Sequence, residues 1–87
     1  MNTINPTIKT IEMIELDIAV RTTCEAMMAL RFREEAEFKK SQGWEPLLRQ
    51  SQYKIMNRYV DRVVLNSPES KAYSDARKAW HDRLNAQ

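Results

Sequence analysis

Residues Trp44 to Asn66, WEPLLRQSQYKIMNRYVDRVVLN, decide the fold, because one stretch combines a start signal, a stop signal and an apolar stripe. Pro46 suits the first turn of a helix, where an N–H has no partner to lose and φ is already helical. Leu47, Leu48, Ile55, Met56, Tyr59, Val60, Val63 and Val64 recur at steps of three and four, the spacing of one helix side. Asn66 offers a left-handed cap. The pattern predicts a helix over 45–65 that hides its Leu48, Ile55, Tyr59 and Val63 side and needs other elements to cover it.

Downstream, Ser67, Pro68 and Glu69 spell a second helix start: an N-cap hydroxyl, a proline at the first position and an acid favourable to the helix dipole. A helix over 68–84 follows, with Ala72, Tyr73, Ala76, Ala79, Trp80 and Leu84 on one face. Lys71/Asp75 and Lys78/Asp82 are spaced for pairing on the solvated remainder. Upstream, Thr7 to Lys40 contains no Gly or Pro, so one long helix over 7–41 is allowed, with Ser41, Gln42 and Gly43 ending it. Ile14, Leu16, Ile18 and Val20 alternate with Glu15, Asp17 and Ala19 as a strand would, yet a lone strand leaves its backbone groups unpaired and no other segment offers a mate. Helix is the better reading. Residues 1–6 lack periodicity and are expected to form a frayed arm.

The whole is then an all-α, three-helix arrangement in a single domain, 1–87. The 87 residues are 43% hydrophobic and 30% charged with one Gly and three Pro, a helix-friendly and turn-poor balance. A chain of this size buries only about 60 to 65% of its unfolded surface, so a partner subunit would help it. Met13, Leu16, Val20, Met27 and Leu30 follow alternating steps of three and four, a heptad seam spoiled only by Thr23 and a candidate homodimer contact. Ile4, Ile8, Ile11 and Ile18 make a second stripe, so the N-terminal half is expected to be covered around a wide arc. Arg33/Glu37 and Glu35/Lys39 are spaced for pairing farther along. At 1.5 Å per residue the first helix spans about 50 Å, against about 30 and 26 Å for the others. Either it breaks near Arg21 to Thr23 or its overhang pairs with another subunit, and the second is preferred.

Chemistry-bearing residues are sparse. Cys24 is the only cysteine and His81 the only histidine, and they stand on different helices. A zinc site needs four ligands, and a Cys–His pair needs an oriented imidazole and an oxyanion hole that no Gly-rich turn near Cys24 supplies. Cys24, among Val20, Met27 and Met28, reads as an inert buried thiol. Glu34, Glu35 and Glu37 alternate with Arg31, Arg33, Lys39 and Lys40 and read as a solvated face. With no phosphate loop, dinucleotide fingerprint or calcium loop, a non-enzymatic chain without metal or cofactor is expected. The single cysteine, the absence of a secretory leader pattern and a longest apolar run of only Ala26 to Leu30 point to the cytoplasm and exclude a transmembrane helix.

The net charge of +2 is too small to imply a polyanion partner, but it is unevenly spread. Residues 1–40 hold six Lys/Arg against seven Asp/Glu, and residues 41–87 hold eight against five. Lys54, Arg58 and Arg62 recur every fourth residue on the central helix, with Arg49 before them, and these four are the candidate partner-binding residues. Such a ridge can hold phosphates. Asp61 interrupts it, however, and neither a recognition-helix turn nor stacking aromatics accompany it, so a protein partner is expected before a nucleic acid. Trp44 and Trp80 are read as staples between elements, with an exposed partner anchor as the alternative.

Taken together, Cys24–Leu30 (CEAMMAL), Trp44-Glu45-Pro46-Leu47 with its basic helix, Asn66-Ser67-Pro68 and a final helix bearing Trp80 give a spacing that resembles small helical phage proteins. It is also similar to the helical part of ryanodine-receptor-type repeats. The resemblance covers about two thirds of the chain, from Cys24 on, and carries across no ligand-binding residue. It implies a helical interaction module of phage or prophage origin. The expected function is protein–protein binding, as a phage or bacterial inhibitor or adaptor, with a nucleic-acid-binding regulator as the alternative.

Overall fold

The computed structural model describes residues 10–45 and 47–86; the expected arm at 1–6 and the start signal at Pro46 lie outside the described residues. Three helices carry the chain: α1 over Ile11–Gln42, α2 over Gln50–Leu65 and α3 over Pro68–Asn85, with no strand among the described residues. The alternation at Ile14 to Val20 is therefore helical, as the missing strand mate requires.

Local chemistry sets each end. Thr10, extended at φ −69° and ψ 161°, accepts a hydrogen bond from the Met13 N–H at 3.2 Å, so α1 begins after Thr10; the expected start at Thr7 lies outside the described residues. Gly43 sits at φ 66° and ends α1: its N–H donates to the Lys40 carbonyl and the Trp44 N–H to the Lys39 carbonyl, a Schellman closure. The next helix starts at Gln50, five residues later than the expected 45, because Arg49 is extended (ψ 158°) and its N–H donates to Gln52 Oε1 at 2.8 Å. Asn66 is not left-handed; at φ −95° its N–H and Nδ2 both donate to the Arg62 carbonyl. Ser67 caps α3 by accepting from the Ser70 N–H at 3.1 Å, and Pro68 occupies the first position, as the sequence indicates.

α2 and α3 lie one after the other along α1, both antiparallel to it, and scarcely touch each other. The contacts mark the order: Phe38 meets Tyr59, Arg31 meets Asp61, Asp17 meets Trp80 and Glu12 meets Arg83. At 1.5 Å per residue the two shorter helices total about 51 Å against about 48 Å for α1. The overhang expected from single helix lengths therefore does not arise within the described residues, because two short helices in tandem run along what neither covers alone. α1 does not break at Thr23, whose hydroxyl donates back to the Ala19 and Val20 carbonyls at 2.7 and 3.1 Å and so needs no partner outside the helix.

The result is a rod 66 × 22 × 17 Å, two helices across, with a radius of gyration of 18.4 Å. A compact chain of this length would have about 12 Å. Few side chains can be enclosed in such a shape. Leu30, Met56, Val60 and Val64 form the core, with Met27, Phe38, Trp44 and Leu48 packed against it, and Met13 is buried separately near the start of α1. The seam residues Met13, Leu16, Val20, Met27 and Leu30 are thus buried or half-buried on the α1 side that faces the chain's own α2 and α3.

Candidate partner-binding face

α2 turns Met56, Val60 and Val64 inward, and Val60 is wholly enclosed. That stripe fixes the helix's rotation, because 100° per residue carries Lys54, Arg58 and Arg62 to the side opposite it. All three are exposed and none has an ion-pair partner among the described residues. Arg49 is exposed as well but precedes the helix as its N-cap, so the ridge on α2 consists of three cations rather than four.

Ile55 and Tyr59 are 55% and 44% exposed, so the hidden side of α2 is Met56/Val60/Val64, with Leu48 and Val63 half-covered. The apolar residues of α2 span too wide an arc for a single covering helix, and the ones nearest the cations lose. Asp61 does not neutralise the ridge either: its Oδ1 accepts from Arg31 Nη1 of α1 at 2.7 Å, and Arg31 also stands 3.6 Å from Glu35. The outward face therefore reads Lys54, Ile55, Arg58, Tyr59 and Arg62, cationic along one edge and apolar along the other. Tyr59 is held in place by Phe38, ring centroids 4.9 Å apart, and Phe38 in turn meets Trp44 edge-on at 5.4 Å. Sequence periodicity could not have singled out Ile55 and Tyr59, since by spacing alone they belong to the core.

A second feature is an open groove of about 560 Å³ between α1 and α3, lined by Asp17, Arg21, Cys24, Arg77, Trp80 and His81 among others. Cys24 and His81, far apart in sequence, share this groove; Cys24 is half-buried rather than sealed in a core and His81 is exposed. Trp80 Nε1 donates to Asp17 Oδ1 at 2.6 Å across it, and the Arg77 guanidinium lies 5.7 Å from the Tyr73 ring centroid. Trp80 is thus the staple the sequence suggests, with a polar tip anchored on the facing helix. No three His, Cys, Asp or Glu side chains among the described residues come close enough to hold a metal ion. No helix among them is long and apolar enough to cross a membrane.

The chain matches no protein-family model, no curated protein and no solved structure.

Proposed function

We propose that this chain is a non-enzymatic helical binding protein whose α2 presents Lys54, Arg58 and Arg62, with Ile55 and Tyr59 beside them, to an acidic, amphipathic protein surface. One observation carries the reading: two large apolar side chains stay exposed next to cations that nothing in the described chain neutralises, while the acid that could have quenched them is drawn away to Arg31. Tyr and Arg are the residue types in which protein interfaces concentrate their energy, and a ring already held by Phe38 loses little freedom on binding. A small inhibitor or adaptor, of the phage or bacterial kind suggested by the spacing resemblance, works through such a face. Three cations on one helix side would contact few phosphates, which supports non-specific nucleic-acid binding in about the micromolar range only.

A photo-crosslinking residue at position 55 tests this in lysate with and without nuclease. A discrete protein adduct is expected, insensitive to nuclease and lost in Lys54→Ala/Arg58→Ala/Arg62→Ala at unchanged melting temperature. Sub-micromolar binding to a DNA or RNA oligonucleotide that the same triple variant abolishes would replace the protein partner with a nucleic acid.

A further inference from the structure

One flank of α1 carries an exposed pattern that α2 and α3 leave open to solvent. Ile14, Ile18, Met28 and Phe32 are 46%, 55%, 41% and 62% exposed; Ile18, with Ile11 at 77%, runs against the expectation that the apolar N-terminal half of this helix is largely covered around a wide arc, while Ile4 and Ile8 of that stripe lie outside the described residues. With Arg21 and Glu25 they fall at steps of four, three, four, three and four, so all six share one exposed stripe on the flank of the helix, whose middle, Arg21 and Glu25, forms the α1 rim of the groove shared with α3. Arg21 and Glu25 are exposed, and neither has an ion-pair partner among the described residues, not even each other one turn apart.

The order along the stripe is apolar, apolar, cation, anion, apolar, apolar, and it reads the same about Thr23 apart from the sign of the two charges. An isologous twofold contact demands this of a helix pairing with its own copy, because residue i must suit residue j and j must suit i. We infer that two copies of this chain pair through this exposed flank of α1, antiparallel and centred near Thr23, beside the groove shared with α3. Ile14 then meets Phe32 of the second copy, Ile18 meets Met28, and Arg21 and Glu25 form two reciprocal ion pairs in the middle.

Three observations favour a second copy over another occupant. Charge complementarity is built in: antiparallel pairing sets Arg21 against Glu25 twice, whereas parallel pairing would set Arg21 on Arg21 and Glu25 on Glu25. The contact from Ile14 to Phe32 runs about 27 Å along a straight, uninterrupted helix, enough for knobs-into-holes packing. The four apolar residues of the stripe are large side chains left 41% to 62% exposed on one flank, which the same stripe of a second copy would cover. The outward face of α2 takes no part, so the dimer and the partner contact proposed above succeed or fail separately.

Light scattering and sedimentation of the full chain test the pairing. A dimer is expected at about 100 µM, with Ile18→Glu monomeric at the same concentration. Arg21→Glu and Glu25→Arg, each placing like charges opposite one another twice, should each weaken association at least ~10-fold, and Arg21→Glu/Glu25→Arg should restore it. Nitroxide labels give a reading free of charge changes: in a Cys24→Ser background, copies labelled at Thr22 should lie within about 20 Å of each other and copies labelled at Ala36 about 40 Å apart, whereas a parallel pair keeps both short. A wild-type monomer at that concentration, single charge reversals that leave association unchanged, or two short label distances would overturn the inference.

Discussion

The two ends of the rod are held by different physics. At the α2 end, Leu30, Met56, Val60 and Val64 are sealed, and Phe38, Tyr59 and Trp44 stack over them. At the α3 end, α3 contributes no buried residue at all. Its docking relies on half-buried Trp80, whose indole donates to Asp17, and on Arg83, whose Nε lies 2.9 Å from Glu12 Oε2. That Nε is shielded from water and meets Glu12 out of line for a hydrogen bond, so the contact is chiefly an ion pair. Yet α3 lies along more of α1 than α2 does. Extent of contact and depth of burial have separated: a long, shallow, polar seam on one side and a short, dry one on the other. Burial sets stability, so the α2 end should be the last part of the molecule to open.

The largest effect should come from emptying the dry end. Met56→Ala removes most of a side chain that is only 1% exposed and should cost about 2 to 4 kcal/mol, a large share of what so small a chain possesses. Urea melts followed by circular dichroism should show both ends losing helix together. If α3 kept its helicity while α2 melted, the idea that the dry core underwrites the whole rod would fail.

Next in size is the polar end. Trp80→Ala removes a large half-buried ring of that contact together with its indole hydrogen bond to Asp17, at about 2 to 3 kcal/mol given its partial exposure. Amide exchange should speed up across α3 and the N-terminal half of α1 and stay unchanged around Val60. Leu16→Glu/Val20→Glu should give the same local signature, since Val20 lines the α1/α3 groove. Uniform acceleration along the chain would mean that the two ends are a single cooperative unit.

The contrast also marks what the sequence could show. The three helices, the Gly43 stop and the Ser67-Pro68 start were all legible, because each is written in one or a few adjacent residues whose backbone preferences decide it. The i,i+4 pairs of α3 were legible for the same reason. Which apolar residues end up buried was not. Ile55 and Met56 are neighbours of similar hydrophobicity, and only the position of α1 puts one at 55% exposure and the other at 1%. Tandem packing was equally hidden: helix lengths taken one at a time suggest an overhang, and their sum removes it. The partner face shares both difficulties, since Lys54, Arg58 and Arg62 were readable as a ridge while the escape of Asp61 to Arg31 depends on a residue 30 positions away.

A smaller effect separates the ends at their boundary. Arg31→Ala releases Asp61 and should cost only about 0.5 to 1 kcal/mol, because the pair is 27% and 55% exposed and largely screened. Its sharper consequence is electrostatic. Asp61, once free, returns a negative charge to the ridge, so Arg31→Ala should weaken the α2 partner contact without touching it, while Asp61→Asn should not. Equal loss in both variants would show that the Arg31–Asp61 bridge acts by shaping α2 and not by keeping its cations unquenched.

The smallest effect belongs to the solvent side of α3, and its direction is fixed by linkage. Lys71 donates to Asp75 at 2.8 Å and Lys78 to Asp82 at 2.9 Å, and the hydrogen bond first, then the opposite charge, lifts each lysine above its usual pKa. A pKa raised in the folded state means that the folded chain holds that proton more tightly than the unfolded one. The contribution is complete below the unfolded lysine's pKa and disappears as pH rises through the folded value, so only strongly alkaline solution would reveal it. Both lysines are fully in solvent, where a pair gains little and is screened by salt. Asp75→Asn should therefore lower the Lys71 pKa toward the ordinary value in a side-chain NMR titration and leave the melting temperature at neutral pH unchanged. A clear loss of melting temperature at neutral pH would mean that the polar end of the rod owes its stability to its exposed charges as well as to Trp80, and the contrast between the two ends would be sharper still.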